Sequence, residues 1–198
     1  MEFAGKKVLV FGTGISGIAA AKLLENVGAA VILFDGNREL DKKHVLENFE
    51  ADHMPELYVG ELPEKIRAGL DLVVLSPGVP TDLPFVNELR DEGLPIWGEI
   101  ELAYRCKKGD VLAITGTNGK TTTTSLLGEI MKNYAQSSFV VGNIGNPYTS
   151  IALQTREDSV IVAEMSSFQL ETIQTFRPRV SAILNITPDH LNRHHTME

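Results

Sequence analysis

Short apolar runs alternate along the chain with stretches in which apolar residues recur every three or four positions. Residues 8–11 are an apolar run between Lys7 and Gly12, the mark of a buried strand. Residues 15–27 then place Ile15, Ile18, Ala19, Leu23 and Val27 at helical spacing, with Gly28 where a helix ends in a left-handed residue. Residues 30–34 predict a second strand that ends on Asp35. Residues 72–75 predict another, stopped by Ser76-Pro77-Gly78-Val79-Pro80. Strand, helix and strand of these lengths imply a parallel sheet with right-handed crossovers.

The pattern restarts near Gly98. Residues 99–105 predict a short connecting helix and residues 107–110 a turn. Residues 111–115, 139–141, 159–163 and 180–185 then predict strands, with a helix over 120–134. Two βαβ beginnings, each with its own glycine-rich turn, predict two α/β domains, residues 1–97 and 98–198. Residues 187–198 are polar and predict no closing helix or strand, so the chain is expected to be the front part of a longer protein.

Composition excludes several classes. Hydrophobic residues at 43% and charged residues at 22% fit a globular chain and exclude a disordered or fibrous one. No apolar run approaches the roughly 20 residues that span a bilayer, and the run after Lys6-Lys7 is too short for a signal peptide. The net charge of −8 argues against broad binding to a nucleic-acid backbone, while leaving room for a local phosphate pocket. The single cysteine, Cys106, excludes an internal disulfide and any cysteine-based zinc or redox motif. A soluble cytoplasmic protein that binds neither nucleic acid nor membrane is the expectation.

Two glycine-rich turns carry chemistry. Residues 12–17, GTGISG, form a G-x-G-x-x-G directly after a strand and at the opening of a helix. Such a turn lets a ligand approach the backbone, and the helix N-terminus offers free N–H groups to an anion. Asp35, at the end of the next strand, is placed to accept from ribose hydroxyls. Alone, this reads as a dinucleotide site such as that for NAD, or as a tight turn and nothing more. Residues 115–122, TGTNGKTT, are sharper. A strand runs into a loop whose backbone can wrap an anion. Lys120 is placed to neutralise β- and γ-phosphates, and Thr121 to ligate Mg²⁺. The strict P-loop spacing asks for glycine at 114, where Ile114 stands, so the loop is a shortened variant.

Further polar groups stand at predicted strand ends. Glu164 follows residues 159–163 and is followed by Ser166-Ser167. A carboxylate beside a phosphate loop is the expected Mg²⁺ partner, although a surface or capping glutamate would look the same. Thr187-Pro188-Asp189-His190 follows the last strand, and His194 and His195 carry weaker signals. Gly142-Asn143-Ile144-Gly145-Asn146-Pro147 follows residues 139–141 and reads equally as an ordinary turn. Phe85 and Trp97 read as packing residues, and Asp91-Glu92 as a solvated helix end. In parallel sheets these turns share one edge of each sheet, room for a triphosphate and metal on the second and a nucleotide-like group on the first.

TGTNGKTT, GNIGNP, EMSSFQLE and NITPDHLNRH, in this order, resemble the Mur ligases of peptidoglycan synthesis. GTGISG, LSPGVP and SSFQLE are most similar to the branch that joins D-glutamate to UDP-N-acetylmuramoyl-L-alanine. The resemblance implies a Rossmann-like first domain, part of a P-loop ATP-binding central domain, and a third, acceptor-binding domain beyond this sequence. It moves the first turn from NAD to a uridine nucleotide, with Gly14, Ile15, Ser16 and Asp35 at the uridine positions and Asn37 or Arg38 nearby. Ser76, Pro77 and Gly78 match the diphosphate loop, Asn143 the diphosphate-sugar contact, and Ser166 and Gln169 the muramoyl-alanyl end. Gly116, Thr117, Asn118, Gly119, Lys120, Thr121 and Thr122 match the ATP loop. Thr121 and Glu164 match Mg²⁺ ligands and His190 a ligand of a second metal, so that Lys120, Glu164 and His190 form the implied catalytic set. The implied reaction is ATP-dependent amide formation through an acyl phosphate, by an enzyme that is monomeric at full length.

Asn192 departs from the family's usual Asp, and the family's carbamylated lysine would lie beyond Glu198. These 198 residues alone are therefore expected not to complete ligation. The near alternatives are a sister ligase adding another amino acid, such as L-alanine, and a folylpolyglutamate-type synthetase. An NAD-dependent oxidoreductase and a non-catalytic nucleotide-binding module are the readings from other classes.

Overall fold

The computed structural model describes residues 2–196. The first half runs β1 (Lys7–Phe11), α1 (Ile15–Asn26), β2 (Ala30–Asp35), α2 (Lys42–Leu46), β3 (Glu56–Val59), α3 (Glu64–Arg67), β4 (Leu72–Leu75), α4 (Pro84–Asp91) and β5 (Ile96–Gly98). The second runs α5 (Glu99–Cys106), β6 (Asp110–Thr115), α6 (Lys120–Tyr134), β7 (Ser138–Gly142), β8 (Val160–Glu164), α7 (Ser167–Leu170), β9 (Val180–Ile183) and α8 (Leu191–His194). The strands pair in parallel into two sheets, ordered β3-β2-β1-β4-β5 and β7-β8-β6-β9.

The central strands are largely apolar because both of their faces are covered, whereas β9 at the edge of the second sheet has no buried position. In the first sheet the two-residue period sends Val8, Val10, Val31, Leu33, Leu72 and Val74 to one core layer. Leu9, Phe11, Ile32, Phe34, Val73 and Leu75 go to the other. The former layer continues through Ile100, Leu102 and Ala103 of α5 into Val111, Ala113, Ile161 and Ala163 of the second sheet. Phe85 packs on Phe11 and Phe34, and Trp97 is buried, both in the packing roles that their sequence context suggests.

Several short elements escape the hydrophobic pattern. β3 is an edge strand of four residues with no buried position, and α2 and α3 each bury one residue. The last strand stops at Ile183 instead of residue 185, because Asn185 turns to bond the loop before α6. The polar residues 191–194, expected to be without structure, form the single turn α8. Its Arg193 and His194 find partners on α7 and Glu171. The expectation for residues 197 and 198 lies outside the described residues.

Two carboxylates of α5 clasp the second sheet's loops. Glu99 Oε1 accepts from the Thr149 N–H at 2.6 Å and the Thr149 hydroxyl at 3.0 Å, while its Oε2 is buried without a partner. Glu101 accepts from the N–H groups of Gln174, Thr175 and Phe176, each at 2.9 Å, and from Arg105 at 2.8 Å. Trp97 Nε1 donates to the Gln174 side chain at 3.0 Å, and the Arg105 guanidinium stacks 4.2 Å from the Trp97 ring centre.

The two acids respond oppositely to the same burial. Desolvation raises the pKa of Glu99 above the carboxylate range, with the Thr149 bonds opposing it only in part. Desolvation pushes Glu101 upward too, but bonds from Thr175, Gln174 and Arg105 outweigh it and bring the pKa down to about 2. A depressed acid stabilises the fold above its unfolded value of 4.5, and that contribution is lost as pH falls from 4.5 towards 2. Glu101→Gln is therefore expected to destabilise at pH 7 by about 2–3 kcal/mol, a deficit that shrinks below pH 4.5 as the native protein loses the same term. Glu99→Gln, which keeps an acceptor for Thr149 and removes the cost of a buried charge, is expected to stay within about 1 kcal/mol or to gain. Thermal unfolding of both variants between pH 2 and 8 checks the contrast.

Candidate functional site

All chemistry-bearing turns face the carboxyl ends of parallel strands, where open α/β sheets hold ligands. The first sheet's order puts β1 between β2 and β4, so the turns after β1 and β4 diverge around a crevice. A hollow of about 520 Å³ opens there, lined by Gly14, Ile15, Ser16, Asp35, Ser76, Pro77, Gly78, Asn143 and Gln169 among others. The structure thus gathers nine of the ten residues singled out for a nucleotide-sugar. Ser166 instead lines the neighbouring hollow, and neither Asn37 nor Arg38 lines this one. Arg38 pairs with Glu61 on the surface.

Local bonds hold this crevice. The Ser76 hydroxyl donates to the Gly12 carbonyl at 3.2 Å and ties the two turns together. A Cβ at Gly17 would lie 1.8 Å from the Gly12 carbonyl oxygen, so the helix approaches its own turn as only glycine permits. Asp35 Oδ2 accepts from the Thr13 N–H at 3.1 Å and the Thr13 hydroxyl at 2.7 Å, and Oδ1 accepts from Asn37 N–H at 2.9 Å. The carboxylate shapes the turn as well as facing the hollow. Sequence reasoning missed Thr13, whose signal is a hydroxyl between the first two motif glycines.

A second hollow of about 710 Å³ lies at the carboxyl edge of the second sheet. Its walls include Gly116, Thr117, Lys120, Asn143, Ser166, Phe168, His190 and His194. Helix α6 starts from Gly119, which offers no side chain to the first-turn N–H groups, so those donors stay free of a side-chain cap. The Lys120 ammonium donates to the carbonyls of Gly116 at 2.7 Å and Thr117 at 3.0 Å. The preceding loop is braced by Asn185, which accepts the N–H groups of Thr117 on its backbone and Asn118 on its side chain, at 3.0 and 2.9 Å. Its amide donates back to the Asn118 carbonyl at 2.9 Å. That brace was missed. Its signal is the first polar residue after an apolar strand.

Among the described residues no three His, Cys, Asp or Glu side chains group for a metal, and neither Thr121 nor Glu164 lines the second hollow. Thr121 and Thr122 are exposed on the first turn of α6. Glu164 is buried at the end of β8, where Oε1 accepts from the Asn143 amide at 3.0 Å and Oε2 has no hydrogen-bond partner. A buried carboxylate oxygen without a donor is an unmet electrostatic demand of the kind a cation satisfies. Asn143 lines both hollows and is the described residue common to them.

The last loop brings His190 and α8 beside α7. His190 takes a left-handed backbone, φ 51°, and its ring lies 4.9 Å from that of Phe168. The Arg193 guanidinium stacks 4.2 Å from the same ring, and His194 Nε2 lies 2.8 Å from the Ser167 hydroxyl. Ser166 and Gln169 cap α7 reciprocally.

Two family descriptions divide the chain. The Mur ligase MurD-like N-terminal domain matches residues 6–98, and the Mur ligase middle domain matches residues 114–198. The chain belongs to the Mur ligase family.

Among Mur ligases it is similar to UDP-N-acetylmuramoylalanine--D-glutamate ligase of Lachnoclostridium phytofermentans, 61% identical over 198 residues. It is also similar to the ligases of that name from Lachnospira eligens, at 58%, and Alkaliphilus oremlandii, at 54% over 200 residues. Each match covers 100% of this chain and 44% of the relative, so the chain spans less than half the length of these Mur ligases. The fold is shared with UDP-N-acetylmuramate:L-alanyl-gamma-D-glutamyl-meso-diaminopimelate ligase from Neisseria meningitides, with a TM-score of 0.57 at 17% identity. That match covers 96% of this chain and 63% of that one. The murein peptide ligase from Psychrobacter arcticus shares it as well, with a TM-score of 0.55 at 20% identity over 95% and 44% of the two chains.

Gly142 controls how the Asn143 loop crosses Glu164. Its φ is 97°, and a Cβ there would lie 2.1 Å from the Glu164 carbonyl oxygen. Gly142→Ala is expected to destabilise by at least about 2 kcal/mol, because strain and a backbone clash act together. A urea midpoint equal to that of the native protein would show that the crossing is not rigid.

Proposed function

We propose that these residues supply the sugar-nucleotide and triphosphate seats of an enzyme that joins D-glutamate to UDP-N-acetylmuramoyl-L-alanine at the expense of ATP, in the cytoplasm, for peptidoglycan synthesis. The observation that carries this reading is the pair of hollows that meet at Asn143, one at each sheet's carboxyl edge. In this reading residues 1–97 hold the uridine nucleotide, residues 98–198 begin the ATP-binding domain, and the acceptor domain lies elsewhere in the protein. The name carried by relatives 54–61% identical supports the choice of acceptor.

In the proposed reaction the alanyl carboxylate attacks the γ-phosphorus of ATP, releasing ADP and leaving an acyl phosphate. The amine of D-glutamate then attacks the acyl carbon, phosphate leaves, and the nitrogen gives up a proton. A carboxylate is a poor electrophile, and two anions must first be brought into line, so positioning and charge screening are most of the task.

Gly14, Ile15, Ser16 and Asp35 seat the uridine. Ser76, Pro77 and Gly78 seat the diphosphate, and Asn143, Ser166 and Gln169 guide the muramoyl-alanyl end towards the second hollow. Residues 116–122 wrap the triphosphate, and Lys120 exchanges its two loop carbonyls for phosphate oxygens. Mg²⁺, held by Glu164 and Thr121 with His190 at a second ion, would screen the charge between triphosphate and carboxylate. The unpartnered Glu164 oxygen supports that fit.

Isothermal titration with UDP-N-acetylmuramoyl-L-alanine, with a non-hydrolysable ATP analogue plus Mg²⁺, and with NADH is expected to show binding of the first two only. Lys120→Ala is expected to weaken the ATP analogue at least about tenfold through loss of charge-assisted bonds, with the sugar-nucleotide affinity held within about twofold. Binding of NADH in place of the sugar nucleotide would return the first domain to the oxidoreductase reading.

A further inference from the structure

We propose that Glu171 is a positioning residue that ties the sugar-nucleotide seat to the His190 loop, so that filling either seat favours filling the other. The inference rests on the function proposed above.

Glu171 follows α7 and holds three segments at once. The Thr81 hydroxyl, in the loop after β4 that begins with Ser76-Pro77-Gly78, donates to Glu171 Oε2 at 3.0 Å. Arg193 of α8 donates to the same oxygen through Nη2 at 2.8 Å and to Oε1 through Nε at 3.2 Å. His194 Nδ1 lies 3.9 Å from Oε1. Among the described residues, no other side-chain hydrogen bond runs from the loops after β1, β2 and β4 to the second sheet's loops. The remaining inter-sheet bonds run through Ile96 and Trp97 of β5 and through α5.

The geometry makes Glu171 more than a surface ion pair. The Arg193 and Glu171 side chains are only 18% and 24% exposed, so water screens them less than a free surface pair. The Arg193 guanidinium is also fixed against Phe168, whose ring packs on those of His190 and His194. A shift of the loop after β4 on binding a sugar nucleotide therefore passes through Thr81, Glu171 and Arg193 to the wall of the second hollow. Coupling of this kind between two binding equilibria is reciprocal.

The test measures the affinity of UDP-N-acetylmuramoyl-L-alanine with and without the ATP analogue and Mg²⁺. The native protein is expected to bind the sugar nucleotide at least about fivefold tighter with the second seat filled. Thr81→Val and Glu171→Ala are expected to cut that factor below about twofold while each ligand alone binds within about twofold of native. Thr81→Ser, which restores the hydroxyl, is expected to restore the coupling. A native protein without coupling, or variants that keep the full factor, would overturn the inference while both ligands still bind. Absence of binding by either ligand alone would instead overturn the functional reading, and this inference with it.

Discussion

The relation of the two sheets depends on two carboxylates with almost no contact with water. Glu99 and Glu101 stand two residues apart on α5 and reach different loops of the second sheet, at Thr149 and at residues 174–176. A buried charge is costly unless its oxygens are met by donors. Glu101 is met by three backbone N–H groups and a guanidinium, and Glu99 by Thr149 and the Tyr148 backbone on one side, with its Oε2 left unpartnered. One clamp is thus ionised and tight, the other held by burial. Because α5 continues the first sheet's core into the second, these bonds fix where one crevice faces the other.

That placement gives Asn143 its position between the hollows. Its amide is committed to Glu164, and its backbone N–H donates to the Glu164 carbonyl at 3.0 Å. The end of β8 therefore carries the Asn143 loop on its own backbone. Lys120 shows a complementary economy. Its ammonium is satisfied by two carbonyls of its own loop, so an arriving anion replaces existing bonds and does not meet a bare charge. In the proposed reading, selectivity comes from how many phosphate oxygens the loop and first-turn N–H groups reach together, not from attraction at long range.

The parallel sheets were legible because doubly covered strands are continuously apolar, as residues 8–11 and 72–75 are. The candidate residues were legible for a related reason. Several stand at the first polar position after such a run, as Asp35, Ser76 and Glu164 do. The short elements that escaped lack that contrast. β3 is a half-exposed edge, and α8 is polar and held by partners remote in the chain, Glu171 and Ser167. The roles of Thr13, Asn185 and Thr81 depend on which turns the sheet order brings side by side, which spacing along the chain does not encode.

A crystal structure of the protein with UDP-N-acetylmuramoyl-L-alanine and the ATP analogue would test the central claim most directly, that the two seats form one continuous path through Asn143. The uracil end is expected over Gly14–Ser16, the alanyl carboxylate beyond Asn143, and the γ-phosphate beside Lys120 on the same side. A sugar nucleotide whose alanyl end points away from Asn143, or a triphosphate bound outside residues 116–122, would contradict it.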